Sequence, residues 1–125
     1  MLATAICLFF LFAIIAHAMS LAEWKIREEA DIQKIDPELA VRIARCESDL
    51  EQGIKNTSGS SASGVFQFLR STWSNTLKRM GLPPNLDVFD GDMNIKLGVW
   101  LLKTDGISHW LESKSCWDSA PLARR

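Results

Sequence analysis

Apolar and polar positions divide the chain into blocks of different character. Residues 1–18, "MLATAICLFFLFAIIAHA", hold no charged side chain, and their apolar core runs from Ile6 to Ile15. A run of about ten such residues has the length of a signal-peptide core and is short for a membrane span. Ala16-His17-Ala18 fits a small-x-small cleavage site, so the expected mature chain starts at Met19 and acts in the periplasm or outside the cell. The alternative is an inner-membrane anchor retained over residues 2–18. After this segment the spacing becomes helical. Ser20-Leu21-Ala22-Glu23 forms a capping box that opens an amphipathic stretch to about Lys34. Asp36-Pro37 supplies the cap and first position of a helix from Pro37 to about Leu50. Residues 51–64 are rich in Gly, Ser and Asn and read as a loop. "GVFQF" (Gly64 to Phe68) follows as a short extended or turn segment. Ser71 is the expected cap of a helix to Met80, stopped by Gly81. "GLPPNLDVFDGD" is a second loop. Asp90 or Asp92 caps a helix through Lys103, which Gly106 ends, and a short helix over Ser108–Ser115 precedes Cys116-Trp117. The pattern predicts one mostly α domain over residues 19–118, with a short β or turn segment, no internal repeat, and a frayed tail at 119–125.

Composition narrows the function. Among 125 residues, 14 are basic and 15 acidic, so the chain lacks the basic excess that neutralises nucleic-acid phosphates. At 47% hydrophobic residues it is not a disordered chain. Five Trp and no Tyr suit either a packed core or a sugar-binding cleft. Cys46 and Cys116 remain after the leader, an even pair in an exported domain, and a disulfide between them is expected. Two buried free thiols are the alternative. Two Cys and two His, one of them in the leader, give no metal-site spacing, and no cofactor is implied.

Within the second helix one carboxylate stands out. With Leu39 at zero and ~100° per residue, Ile43 falls near ~40°, Cys46 near ~340°, Leu50 near ~20° and Glu47 near ~80°. Glu38, Arg42, Arg45 and Asp49 fall on the opposite arc, between ~240° and ~300°, where solvent is expected. Glu47 therefore shares the apolar side, in the last turn of its helix. Desolvation and the negative end of the helix dipole both raise the pKa of a carboxyl placed there. A Glu that stays protonated near neutral pH is what a general acid requires. Pairing with an Arg, or capping of loop amides, is the competing structural reading.

Downstream, "SASGVFQF" surrounds Gln67 with small residues, which would let a ligand approach the backbone. Together these segments resemble the soluble lytic transglycosylase family, whose lysozyme-like domain has a Glu-Ser pair, a later Ser, and a Gly-Ala-x-Gly-(Leu/Val)-(Met/Phe)-Gln run. The matching positions are Glu47-Ser48, Ser58, and Ser61-Ala62-Ser63-Gly64-Val65-Phe66-Gln67. "NIKLGVWLL" (Asn94 to Leu102) is similar to the family's Asn-Ile-x-x-Gly-x-x-(Tyr/Trp)-Leu helix. "GISHWLESKSCW" resembles the Trp-x-x-Ser-x-x-Cys-Trp ending of short exported bacterial members. The chain departs from the pattern in three places. The loop between Glu47 and Ser58 is longer, Ser61 replaces the first Gly, and the Ala-Tyr-Asn-Ala-Gly block that supports the catalytic Glu is absent. Ser108 or a water is the expected substitute for its Tyr.

The resemblance implies an α+β lysozyme-like fold related to goose lysozyme, and an enzyme whose partner is the peptidoglycan glycan strand. It implies cleavage of the β-1,4 bond between N-acetylmuramic acid and N-acetylglucosamine, with Glu47 first as acid and then as base, leaving a 1,6-anhydro end. Ser48, Ser58 and Gln67 would contact the sugar. Phe66, Leu69 and Trp110 are further candidates for the cleft wall, although each also suits core packing, and Trp117 and Trp100 suit the core better. His109 is expected at the surface. A two-carboxylate hydrolase would need a second acid, sought among Asp49, Glu51, Asp87, Asp90 and Asp92. The alternatives are a hydrolytic lysozyme-type muramidase and a non-catalytic peptidoglycan-binding module of a secretion apparatus. A monomer, with possible recruitment by cell-envelope machinery, completes the expectation.

Overall fold

The computed structural model describes residues 19–56 and 58–118. The expected leader or anchor and the carboxy-terminal tail lie outside the described residues. Helix α1 spans Leu21–Gln33. It opens on the Ser20 hydroxyl, which accepts from the Glu23 backbone N–H at 3.1 Å, and closes on Lys34 in the left-handed region. Helix α2 spans Pro37–Ser48, with the Asp36 carboxylate accepting from the Glu38 N–H at 2.9 Å. It ends two residues before Leu50, because Asp49 and Leu50 both turn to positive φ, at 54° and 65°. Helix α3 spans Arg70–Arg79, and its start differs from the expected one. The Ser61 hydroxyl, not Ser71, accepts from the Arg70 N–H, at 3.0 Å. The serine that replaces the family's first Gly thus caps a helix from across the loop. Helix α4 spans Gly91–Asp105, capped by Asp90, whose carboxylate accepts from the Met93 N–H at 3.1 Å. The last expected helix is divided. A 3-10 segment over Ser108–Ser113 kinks at Trp110, and the short helix α5 follows over Lys114–Trp117.

Helix α4 carries the core. Ile95, Leu97, Val99 and Leu101 are almost wholly buried along it, and α1 and α3 pack on its flanks. Helix α2 packs on α1 and reaches the 3-10 segment and α5 on its other side. Gly98 lets α4 approach the Phe66 ring, since a Cβ there would lie 2.4 Å from the ring edge. The disulfide between Cys46 and Cys116, with Cα atoms 6.0 Å apart, ties the end of α2 to α5.

The Gly64–Phe68 stretch is a turn, flanked by isolated bridges that pair Ser63 with Lys55 and with Phe68. Three buried side chains from three elements fix it. Ser48 of α2 donates to the Val65 carbonyl at 2.7 Å. Asn94 of α4 accepts from the Phe66 N–H at 2.9 Å and donates to the Val88 and Ser63 carbonyls. Trp110 donates its indole N–H to the Phe66 carbonyl at 3.0 Å. A buried, unpaired backbone group is expensive, so such side chains let a non-regular turn sit in the core. Gly64 has φ 79°, and a Cβ there would fall 2.1 Å from the Asn94 amide nitrogen. The close approach that its lack of a side chain permits is made by Asn94, not by a ligand. Arg42, expected on the solvated arc, is half-buried, and its Nε is buried without a partner among the described residues.

Candidate active site

Glu47 sits in the last turn of α2, half-buried, at the floor of a cleft of about 570 Å³. One wall is the loop that carries Asn56 and Ser58, and the opposite wall is the 3-10 segment through Glu112 and Ser113. Between them lies the fixed turn with Gln67. The Ser113 hydroxyl donates to Glu47 Oε1 at 2.5 Å, the length of a charge-assisted O–H···O bond. The same Ser113 oxygen lies 3.2 Å from the Trp110 carbonyl. A hydroxyl so placed serves either protonation state of its neighbour. It donates to Oε1 in both, which leaves the proton of the neutral acid on Oε2.

Burial is the main influence on the Glu47 carboxyl and raises its pKa above the ordinary 4.5. The Ser113 bond works against this by stabilising the ionised form, and the neighbouring charge of Glu112 adds to the rise. Arg45 opposes none of it, because it points to solvent and pairs with Glu23 at 3.2 Å.

The other expected site residues divide into groups. Ser48 is corrected outright: it is buried, outside the cleft, with its hydroxyl committed to Val65, so its part is to hold the turn. Gln67 reaches the cleft with φ 51°, but its amide nitrogen donates to the Ile54 and Gly64 carbonyls. That leaves the Gln67 carbonyl oxygen to face a ligand. Ser58 lines the cleft and is exposed, with its hydroxyl on Asn56 Oδ1. Leu69 lines the cleft and is 47% exposed. Phe66 and Trp110 are buried and meet edge to face, with ring centroids 5.8 Å apart, so each shows the cleft only a margin of a core residue. Trp117 is buried as well, and donates to the Trp110 carbonyl at 3.2 Å. Trp100 is half-buried, with the Arg79 guanidinium 4.9 Å above its ring.

Sequence reasoning missed Ser113, Glu112, Asn56 and the placement of His109 at the cleft. Ser108, the expected partner of Glu47, instead donates to the Asp105 carbonyl at the end of α4. A signal for Ser113 was present. Cys46 adjoins Glu47, and Ser113 lies three residues before Cys116, so pairing the cysteines brings this serine to the acid. His109 contacts Asp105 at 2.7 Å, and Asp105 is also held by Arg79 through two bonds of 2.8 Å.

These elements define a lysozyme-like domain: a helical body, a cleft, and a half-buried carboxyl at the end of a helix. The model of the transglycosylase SLT domain matches residues 25–109, and the chain belongs to that family. Among solved structures it is similar to an inactive Glu-to-Gln mutant of the lytic transglycosylase Slt from Pseudomonas aeruginosa, with a TM-score of 0.58 and 19% identity. That likeness is one of fold. It covers 78% of this chain and 16% of the Slt chain, so this chain spans a small part of the larger protein's length. Comparison with curated proteins gave no match.

Proposed function

We propose that the protein is a lytic transglycosylase that cleaves the β-1,4 bond between N-acetylmuramic acid and N-acetylglucosamine in peptidoglycan. The observation that carries this reading is a carboxyl with a raised pKa, held at one oxygen by Ser113, at the floor of an open cleft. With Oε1 on Ser113, Oε2 is left for the substrate. Glu47 gives its proton to the glycosidic oxygen as the bond from that oxygen to the muramyl anomeric carbon breaks. The muramyl 6-hydroxyl attacks that carbon, and its proton passes to the Glu47 carboxylate. A 1,6-anhydro end forms, the acid is regenerated, and no water is consumed. The family and the fold agree with this chemistry, and a Glu-to-Gln change inactivates the Slt protein of similar fold. The disulfide suits an enzyme that works outside the cytoplasm.

Glu112 favours a second reading. It is a second carboxylate on the same cleft, absent from the candidates that the sequence offered, and a hydrolase that activates a water needs such a second acid. Mass spectrometry of digested peptidoglycan separates the two. Anhydro-muropeptides support the transglycosylase, and reducing ends support hydrolysis. Intact glycan with protein bound to it would make the domain a binding module and overturn both.

A further inference from the structure

Beyond the cleft the loop borders a second depression, an open groove that shares Asn56 and Ser60 with it. Lys55 and Arg70 stand on the groove, together with the hydroxyls of Ser61, Ser71 and Ser74. No carboxylate lines it. Neither Lys55 nor Arg70 has an ion-pair or side-chain hydrogen-bond partner among the described residues, whereas Arg27, Arg45 and Arg79 are each held by a carboxylate. The two compartments therefore differ in sign. The cleft holds Glu47 and Glu112 and no Lys or Arg, and the groove holds two cations and no acid.

We propose that this groove binds carboxylates of the stem peptide borne by the muramyl residue, so that the protein prefers peptide-bearing strands to bare glycan. The inference rests on the peptidoglycan reading of the cleft. The sugars of the strand are neutral hydroxyl and acetamido compounds, which need donors and acceptors but no cation. The stem peptide is the part of the polymer that carries free carboxylates, and it leaves the strand from the muramyl side chain. Because Asn56 and Ser60 line both depressions, a stem leaving a strand in the cleft has a continuous path into the groove. Arg70 can bind a carboxylate through two parallel N–H bonds, with Lys55 as a mobile point charge beside it.

The test is binding, which does not depend on turnover. Glu47→Gln protein, unable to cut under the proposed mechanism, is titrated against intact cell wall and against the same wall stripped of stem peptides by an amidase. Adding Lys55→Ala and Arg70→Ala should weaken binding to the peptide-bearing wall about 10-fold or more, the loss of one to two charge-assisted hydrogen bonds. Binding to stripped glycan should not change. Both side chains are exposed, so the fold should survive, and an unchanged melting temperature checks this. Raised salt should weaken binding of the Glu47→Gln protein to the peptide-bearing wall alone. Equal weakening on both walls would make the groove an ordinary sugar subsite, and no weakening on either would make it a solvated surface. Each result overturns the proposal. Wild-type protein that binds walls selectively but cuts none would instead sink the catalytic reading and leave the groove result standing.

Discussion

The wall that carries Ser113 and the wall that carries Ser58 face the same cleft, but different interactions hold them. The 3-10 segment is held to the body by the Trp110 indole on the Phe66 carbonyl, and to α5 by the Trp117 indole on the Trp110 carbonyl, while the disulfide ties α5 in turn to the end of α2. The loop wall is held by short local bonds, Ser58 to Asn56 at 2.8 Å through its backbone and the Asn56 N–H to the Ala62 carbonyl at 3.0 Å, and much of it is exposed. Proton transfer requires an acid fixed to within a fraction of an ångström, and the rigid wall supplies that. Binding a long polymer requires access and adjustment, and the loop wall supplies those. Changes on the rigid wall should therefore act on kcat or on stability, and changes on the loop wall on KM.

The largest effect should come from Glu47→Gln. Removing the acid should lower kcat by about 10²–10⁴-fold, measured as release of soluble muropeptides. The fold should gain rather than lose. The folded-state pKa is raised, so the native chain binds more protons than the unfolded one between pH 4.5 and that raised value. Stability contributed by this group therefore falls as pH rises through the window, and the deficit persists above it. Glu47→Gln should remove that slope in thermal melts taken across acid to neutral pH. Near-normal turnover, or a slope that the variant retains, would return Glu47 to the status of a structural carboxylate.

Breaking the tie between α2 and α5 should come next. The cross-link spans a sequence separation of 70. In the chain-entropy model such a loop is worth roughly 4 kcal/mol. Reduction, or Cys46→Ser with Cys116→Ser, should lower the melting temperature by more than about 10 °C. Activity measured below the new transition should also fall, because Ser113 loses its registration against Glu47. A loss of stability with kcat untouched would show that the tie only stabilises.

Much of this was legible in the sequence. The capping box at Ser20, the Asp36-Pro37 pair and Asp90 each name a helix start through one local bond, and local bonds leave local signatures. The buried arc of α2 found Glu47 because period and position alone set it. What stayed hidden depends on long-range contact. Ser113 meets Glu47 across a separation of 66, and Ser61 caps α3 from the far end of a loop. Ser48 sat beside the acid in a motif that marked both, yet only the fold shows that it serves the turn and not the sugar. Arg42 departs from the solvated arc of the wheel, because a helix wheel has no account of what else packs on that face.

Ser113→Ala tests the rigid wall directly. Losing one hydrogen bond to a charged group should lower kcat by about 10-fold with KM nearly unchanged. The variant also removes the one influence that lowers the Glu47 pKa, so the alkaline limb of the pH–rate profile should move to higher pH. Loss of activity with an unmoved limb would mean that the serine acts on folding and not on the acid.

The smallest effect, and the sharpest, belongs to Glu112→Gln. Glu112 is exposed on the same wall, and its charge favours the protonated form of Glu47. Replacing it should move the alkaline limb to lower pH, opposite in sign to Ser113→Ala, while the acid-side plateau of kcat changes by less than about twofold. Because Glu112 faces water, its influence should be screened, and the displacement should shrink as salt is raised. The Ser113 effect is a contact of 2.5 Å and should persist in the same salt. A hydrolase that uses Glu112 as its base would behave otherwise. Glu112→Gln would then lower kcat by orders of magnitude at every pH and salt, and the products would carry reducing ends.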